Sequence, residues 1–241
     1  MIRVLRSYLL ACVVTCGLAN VAQASCRLAL LLALDVSSSV SAEEYRLQQS
    51  GLAAALVSED VMRAILDTRD GHVSLAVYEW SGRNQQNIVL NWHDLRARED
   101  VETAAAAILS SKRSFTRFPT SMGFSLGYGV GLYRSAPTCD RKVMDVSGDG
   151  INNDGFGPQT AYRHFPFSDV TVNGLVIAGS DPDVEWFYER EVLWGRQAFL
   201  EIAQGFDDFE RTMTRKLFRE ISNLMIGHAP LPDDAQVVPH L

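Results

Sequence analysis

The chain has 241 residues, of which 47% are apolar and 21% are charged. This balance is typical of a globular protein that buries one sizeable core, and no internal repeat or low-complexity tract interrupts it. The formal net charge is −7 at neutral pH, which excludes polyanions such as nucleic acids as expected partners. One globular domain is therefore the basic expectation.

Residues 1–24 differ from the rest of the chain and have the pattern of a signal peptide. Arg3 and Arg6 precede an apolar run, and the segment closes on Ala-Gln-Ala at 22–24, a sequence that signal peptidase cleaves. We expect a mature chain that starts at Ser25, is exported to the periplasm or the extracellular space, and carries 20 basic and 29 acidic residues. A retained membrane anchor is the alternative. Because polar residues interrupt the apolar run, no stable membrane insertion is expected after cleavage.

Predicted strands and helices alternate along the mature chain. The nearly continuous apolar run at 27–36 predicts a central parallel strand that is buried on both faces. Ser41 is placed to cap a helix that begins at Ala42. The next elements are strands at 72–80 and 86–92 around a turn at 81–84, and then helices at 98–111 and 121–133.

The second half of the chain continues the alternation and predicts the fold class. Its elements are a strand at 141–147, a glycine-rich loop at 148–158, a strand at 170–178, a helix at 183–193, a strand at 198–203 and a helix at 206–224. This order predicts an α/β fold with a doubly wound, mostly parallel six-stranded sheet, one antiparallel edge strand and helices on both faces, a Rossmann-like class. One domain at 25–226 and a loose C-terminal tail at 227–241 complete the expected organisation.

Polar side chains follow the first and the fourth predicted strands. Asp35, Ser37 and Ser39 stand at alternate positions after the first strand, and Asp149 follows the fourth. Ligands of an open parallel sheet bind beyond the carboxyl ends of its strands, so these side chains are the first candidates for a site. Hard oxygen ligands suit Mg²⁺ best and can also hold Ca²⁺ or Mn²⁺. Asp145, inside the fourth strand, is expected to be a buried carboxylate with partners rather than a ligand.

This pattern resembles the metal-ion-dependent adhesion site of von Willebrand factor A (VWA) domains. Asp35, Ser37 and Ser39 match its Asp-x-Ser-x-Ser element. Thr120 matches the distant Thr that precedes a helix, and Asp149 matches the later Asp. The chain looks closer still to an uncharacterised bacterial family of exported A-like domains without an assigned activity, through Glu-Trp-Ser-Gly at 79–82, Asp-Val-Ser-Gly-Asp-Gly at 145–150 and the ending at 209–220.

The resemblance implies a metal-dependent protein-binding module rather than an enzyme. In A domains the hydroxyls bind the divalent cation directly and the carboxylates act largely through water, so an Asp or Glu of a protein or peptide partner can fill the open position. A rim of loop residues is expected to contact that partner: Trp80, Arg83, Arg117, Phe118, Asn152 and Asn153, together with Arg113 and Asp181. Solvated loop charges are the alternative for each of these residues.

Other interpretations of the sequence compete with the metal site. A metal-free scaffold stays open, because Ser39 and Ser41 can cap a helix without any ion. Gly-Phe-Ser-Leu-Gly at 123–127 matches the nucleophile elbow of a serine hydrolase, but no strand pattern precedes it. A calcium loop of the EF-hand kind at 145–156 fails, because its twelfth position is Phe156 and not the required Glu.

The mature chain contains two cysteines, Cys26 and Cys139. Cys26 lies nine residues before Asp35 and Cys139 lies ten before Asp149, so on adjacent parallel strands the two cysteines stand at nearly the same height. An oxidising compartment allows such thiols to pair. We therefore predict a disulfide between them.

Overall fold

The computed structural model describes residues 25–67 and 69–222. The predicted leader at 1–24, the predicted tail at 227–241 and the last two residues of the predicted C-terminal helix lie outside these ranges. None of the helices described is long and apolar enough to cross a membrane. In chain order the elements are β1 (Cys26–Asp35), α1 (Ala42–Val57), α2 (Glu59–Leu66), β2 (His72–Trp80), β3 (Gln86–Leu95), α3 (Arg98–Ser110), α4 (Met122–Leu132), β4 (Cys139–Gly148), α5 (Pro158–His164), β5 (Val170–Ile177), α6 (Val184–Phe187), β6 (Leu200–Ala203) and α7 (Phe209–Ser222).

The strands form one six-stranded sheet in the order β3-β2-β1-β4-β5-β6. β3 is antiparallel to β2 at one edge, and all other neighbouring strands are parallel. The predicted doubly wound, mostly parallel sheet with one antiparallel edge strand is confirmed. The strand order reverses between β1 and β4, so a crevice opens beyond the carboxyl ends of these two strands.

Strand β1 is buried on both faces because its side chains alternate between two cores. Leu30, Leu32 and Leu34 belong to a core that also contains residues of α1, α3 and α7. Leu31 and Ala33 belong to a second core with residues of α4, α5 and the segment after β5. This double burial explains why the strand is an almost unbroken apolar run.

Several local features differ from the sequence-based expectation. The short helices α2 and α5 were not predicted. The predicted helix at 183–193 contains only four residues of α-helix, α6, followed by a π-helical turn at Tyr188–Val192 that Leu193 N closes by donating to Tyr188 O over 3.0 Å. Ser41 caps α1 through a reciprocal pair of hydrogen bonds with Glu44, as predicted.

The predicted disulfide is confirmed. Cys26 on β1 and Cys139 on β4 stand directly opposite each other and are bonded, with their Cα atoms 4.5 Å apart. The bond joins the amino-terminal ends of the two strands that reach the crevice with their carboxyl ends. It therefore ties together the pair of strands between which the sheet order reverses.

A buried cluster of charges links α7 to the middle of the sheet. Lys216 Nζ lies 2.7 Å from Glu220 Oε1 and 3.1 Å from Asp145 Oδ1, and all three side chains are shielded from solvent. Asn173 Nδ2 donates to Glu220 Oε1 over 2.8 Å. Asp145 is thus a buried carboxylate that is paired within the fold, in agreement with the expectation.

Candidate metal centre

Three polar side chains, those of Asp35, Ser37 and Ser39, lie at the carboxyl end of β1. Asp35 is the last residue of β1, and its Oδ1 accepts a hydrogen bond from Ser37 N over 2.7 Å, which shapes the turn after the strand. Ser37 Oγ lies 3.0 Å from Ser39 Oγ. Asp35 and Ser37 are buried whereas Ser39 is exposed, so the row leads from the interior to the surface.

Thr120 and Asp149 reach the same row from two other segments of the chain. Thr120 Oγ1 donates to Ser37 Oγ over 3.2 Å, and Ser39 Oγ donates to Asp149 Oδ1 over 2.8 Å. Thr120 and Asp149 are both buried. The structure therefore brings all five predicted ligands into one connected cluster, at the point where the strand order reverses.

The cluster holds two carboxylates without a matching cation from the protein. Asp35 Oδ2 and Asp149 Oδ2 are buried, and neither has a hydrogen-bond partner among the described residues. Burial, and then the charge of Asp149, raise the pKa of Asp35 to about 7, against the opposing effects of Ser37 and Arg113. Two neighbouring buried carboxylates are unfavourable unless a proton or a cation neutralises them.

The donor set fits a hard divalent cation. It consists of two carboxylates and three hydroxyls, the oxygen ligands that Mg²⁺ and Ca²⁺ prefer. The described part of the chain has no group of three or more His, Cys, Asp or Glu side chains that could hold a metal. A cation at this edge would therefore depend on the hydroxyls of Ser37, Ser39 and Thr120 as well as on the carboxylates.

Residues 25–225 match a family described as a protein of unknown function (DUF1194). The chain belongs to this family. A comparison with curated proteins finds no match. The predicted membership of an uncharacterised family is thus confirmed, and the family description assigns no activity to the DUF1194 domain.

Solved structures share the fold of this DUF1194 domain at low sequence identity. Proximal thread matrix protein 1 from the mussel byssus, in a form described with a zinc-occupied MIDAS motif, is 16% identical with a TM-score of 0.59 over 83% of this chain and 49% of that one. A von Willebrand factor type A protein from Catenulispora acidiphila is 14% identical with a TM-score of 0.55 over 82% and 42%. The PilB minor pilin from Streptococcus sanguinis is 12% identical with a TM-score of 0.61 over 84% and 63%. The chain spans less than two thirds of each of these proteins, and the similarity identifies its fold as VWA-like.

In the DUF1194 domain the loop after β4 holds Thr120 in place. Asn153 Oδ1 accepts from Thr120 N over 2.9 Å, and Asn153 N donates to Thr120 O over 3.0 Å. Asn152 Oδ1 accepts from Met122 N over 2.8 Å. The two amide oxygens bind backbone groups next to the cluster, while Asn153 is exposed and Asn152 is half-buried, so a contact of these residues with a partner stays a prediction. Their effect is to fix a threonine that belongs to no strand.

The other predicted rim residues differ in their exposure to solvent. Trp80 ends β2 and is completely buried, so its prediction as a rim residue was wrong, because the alternation along β2 turns its ring into the core with α4. Arg83 is exposed but pairs with Asp154 over 2.7 Å. Arg117 is exposed, and the ring of Phe118 is 38% exposed. Of these residues, Arg83, Arg117 and Phe118 are accessible to a partner.

The basic segment before Thr120 is anchored from both sides. Arg113 Nη2 donates to Ser37 O over 2.9 Å, so this arginine braces the first loop of the site instead of lining an open rim. Glu79 Oε2 accepts from Ser114 N over 3.0 Å, and its Oε1 accepts from the hydroxyl of Tyr45 over 2.6 Å. Glu79 was not identified from the sequence, although an acid inside a strongly apolar strand was the available signal.

Tyr188 is a further buried group beside the cluster that sequence reasoning missed. Its side chain is fully buried, and its hydroxyl has no hydrogen-bond partner among the described residues. Burial raises the pKa of Tyr188 well above its ordinary value, and the charges of Asp35 and Asp149 raise it further. Position 188 carries no recognisable motif, so the sequence offered no signal for it.

The nucleophile-elbow alternative is contradicted by the position of Ser125. This serine lies inside α4, which is preceded by a loop and not by a strand. It is completely buried, and its Oγ lies 3.1 Å from the hydroxyl of Tyr78. A serine in this position is not presented to a substrate, so Gly-Phe-Ser-Leu-Gly is a helix sequence here.

Proposed function

We propose that the mature chain is an exported, metal-ion-dependent protein-binding module and not an enzyme. The observation that carries the proposal is the pair of buried oxygens, Asp35 Oδ2 and Asp149 Oδ2, which lack partners among the described residues and lie beside three hydroxyls. A divalent cation at this edge would neutralise both carboxylates. Mg²⁺ is the expected ion because every donor is a hard oxygen, and Ca²⁺ and Mn²⁺ suit the same donors.

The five side chains have two different roles in the proposed metal centre. Ser37, Ser39 and Thr120 offer neutral hydroxyl oxygens, and Asp35 and Asp149 supply the negative charge. A bound cation supplies an electrophilic position that an acidic group of a partner can occupy. Ser39 is exposed, so the cluster opens to solvent on its side, where a partner can reach it.

The surface beside this opening suits a protein or peptide with an acidic residue. Ser38 N donates to Phe118 O over 2.9 Å, which holds the exposed Phe118 against the first loop of the site. Arg117 precedes it and is also exposed. An arginine and an aromatic ring beside a cation site are the groups that anchor protein interfaces, and a positive charge complements an acidic partner.

Two observations support export and an adhesive role. A disulfide between Cys26 and Cys139 suits the periplasm or the extracellular space, because disulfides persist in oxidising compartments. Proteins described as a byssus thread matrix protein and as a minor pilin share the fold. The proposed leader at 1–24 is tested by sequencing the exported protein, whose first residue should be Ser25.

Calorimetric titration of the purified, chelator-treated chain tests the metal centre. Mg²⁺, Mn²⁺, Ca²⁺ and Zn²⁺ are titrated separately into the wild type, Asp35→Ala and Asp60→Ala, an exposed carboxylate outside the cluster. The proposal expects one-to-one binding that is lost in Asp35→Ala and retained in Asp60→Ala. If no ion binds, with or without an acidic peptide, the proposal fails and the metal-free scaffold is the better description.

A further inference from the structure

The ring of Tyr188 lies over two glycines of the sheet. A Cβ at Gly174 on β5 would stand 2.7 Å from Tyr188 Cδ1, and a Cβ at Gly148, the last residue of β4, would stand 2.8 Å from Tyr188 Oη. Any larger residue at either position would displace the ring or the strand. The two glycines therefore leave the space in which Tyr188 extends from β5 to the carboxyl end of β4.

The position that a Cβ of Gly148 would occupy is also close to Asp35. A Cβ there would stand 3.0 Å from Asp35 Oδ2, so Tyr188 Oη and Asp35 Oδ2 both lie next to the Cα of Gly148. Both oxygens are buried, and both lack hydrogen-bond partners among the described residues. A buried donor and a buried acceptor are each unfavourable when unpaired, and one hydrogen bond or one shared water satisfies both.

An unusual backbone segment presents Tyr188 to the site. Tyr188 begins the π-helical turn that ends at Val192, and the hydroxyl of Tyr162 donates to Val192 O within the same core. Single π-turns are rare and occur frequently at functional sites. The π-turn is an observation independent of the unpaired oxygens. It also indicates that Tyr188 has a role beyond packing.

We propose that Tyr188 is a positioning residue of the metal centre, whose hydroxyl donates to Asp35 Oδ2 directly or through one water molecule and so orients this carboxylate. The inference rests on the proposed function, because an oriented Asp35 serves cation binding. Tyr188 itself does not contact the ion. Groups that orient metal ligands through hydrogen bonds typically change metal affinity by about 10–100-fold.

The test compares Tyr188→Phe with Tyr162→Phe in the full exported chain. Tyr162 is the matched control, because it lies in the same core and its hydroxyl already donates to a carbonyl. Tyr188→Phe is expected to weaken Mn²⁺ binding about tenfold and to lower the unfolding temperature of the chelated protein, because Asp35 Oδ2 loses its donor. Tyr162→Phe is expected to lower that temperature and to keep the Mn²⁺ affinity, since it removes a formed hydrogen bond.

Two further measurements make the test sharper. Addition of Mg²⁺ should produce a tyrosine difference spectrum in the near ultraviolet that is lost in Tyr188→Phe and retained in Tyr162→Phe. Gly148→Ala, whose methyl group would meet both oxygens, should also weaken Mn²⁺ binding. If Tyr188 had only a structural role, addition of Mg²⁺ would not change the tyrosine spectrum.

The outcomes separate this inference from the proposed function. Equal Mn²⁺ affinity of the wild type and Tyr188→Phe would overturn the inference and leave the metal centre intact. An equal loss of affinity in Tyr162→Phe would also overturn it, because a general loosening of this core would then be the cause. A wild-type chain that binds no Mn²⁺ would overturn both.

Discussion

Asp145 in strand β4 and Asp149 just after it belong to two acidic clusters, which differ in whether a lysine pairs with the carboxylates. Asp145, inside the strand, shares the buried ammonium group of Lys216 with Glu220. Asp149, just after the strand, lies beside Asp35, and among the described residues neither forms an ion pair with a lysine or an arginine. The inner cluster has one lysine for its two carboxylates, whereas the edge cluster has no paired base and requires a proton or an ion from solution.

The pKa values of Asp35 and Asp145 are raised alike, but the neighbouring charges act in opposite directions in the two clusters. Burial raises the pKa of Asp35 to about 7, and the neighbouring Asp149 adds to the rise. Burial also raises the pKa of Asp145 to about 7, although there the charge of Lys216 opposes the rise. Burial lowers the pKa of Lys216, yet Asp145 and Glu220 outweigh it and hold the value above the ordinary one.

The largest effect is expected from a variant that breaks the inner cluster of Asp145, Lys216 and Glu220. Lys216→Met leaves the carboxylates of Asp145 and Glu220 buried without a cation, and should lower the free energy of unfolding by about 3–5 kcal/mol. Urea denaturation of the chelated protein measures this. The control is Lys142→Met, which removes a partly exposed pair with Asp169 and should cost less than about 1 kcal/mol. Similar losses in the two variants would contradict the role given to the inner cluster.

The second prediction uses pH to examine the edge cluster. Because the folded pKa of Asp35 is raised from 3.8 to about 7, its contribution to stability is fully present below about pH 4 and is lost as the pH rises to about 7, by at most about 4 kcal/mol. Asp35→Asn cannot ionise there and should match the wild type at pH 4 and exceed it at pH 8, without metal. Denaturant unfolding at several pH values gives the difference between the two proteins.

Saturating Mg²⁺ should reverse the sign of that difference, because the ion favours the ionised form of Asp35. The wild type should then be more stable than Asp35→Asn at pH 8. A difference that does not respond to pH or to Mg²⁺ would argue against an unbalanced carboxylate at this position.

The third prediction separates metal affinity from stability at the edge. Asp149→Asn keeps an oxygen to accept from Ser39 but removes a charge, so it should weaken Mg²⁺ binding by about 100-fold, near 3 kcal/mol. The metal-free protein should become more stable, because the repulsion between positions 35 and 149 is gone. Calorimetry and thermal unfolding test the two halves together, and capture of an acidic partner should disappear. Retained metal-dependent capture would contradict the adhesion hypothesis.

The smallest expected effect concerns the support of Thr120. Asn153→Ala removes the acceptor for Thr120 N, and should weaken Mg²⁺ binding about tenfold by loosening this hydroxyl. Asn87→Ala, an exposed asparagine on β3, is the control and should have no effect. Calorimetric titration of both variants measures the change, and unchanged affinity in Asn153→Ala would mean that the loop after β4 is not needed to hold Thr120.

The fold was predictable because its signals are local and periodic. The apolar run at 27–36 has the length and composition of a doubly buried strand, and that burial is observed. The offsets of Cys26 from Asp35 and of Cys139 from Asp149 give the relative height of β1 and β4, and the cysteines are directly paired. Short elements were less predictable, because the helix α2 and the π-turn at 188–192 depend on packing.

The candidate site was only partly predictable, because side-chain direction depends on contacts between distant segments. Trp80 is the last residue of β2, and only the pairing of this strand with β1 decides that its ring points inwards. Asn152 and Asn153 are typical loop residues whose hydrogen bonds depend on the final path of the loop. The approach of Tyr188 to Asp35 requires two glycines on intervening strands, a relation that no local pattern encodes.

The disulfide has a mechanical consequence for the crevice. From Cys26 to Asp35, strand β1 extends over roughly 30 Å, so the covalent bond and the cluster lie at opposite ends of the same two strands. A partner that pulls on the edge would load β1 and β4 in shear along their axes. Sliding of one strand past the other would then be resisted by a covalent bond in addition to the backbone ladder.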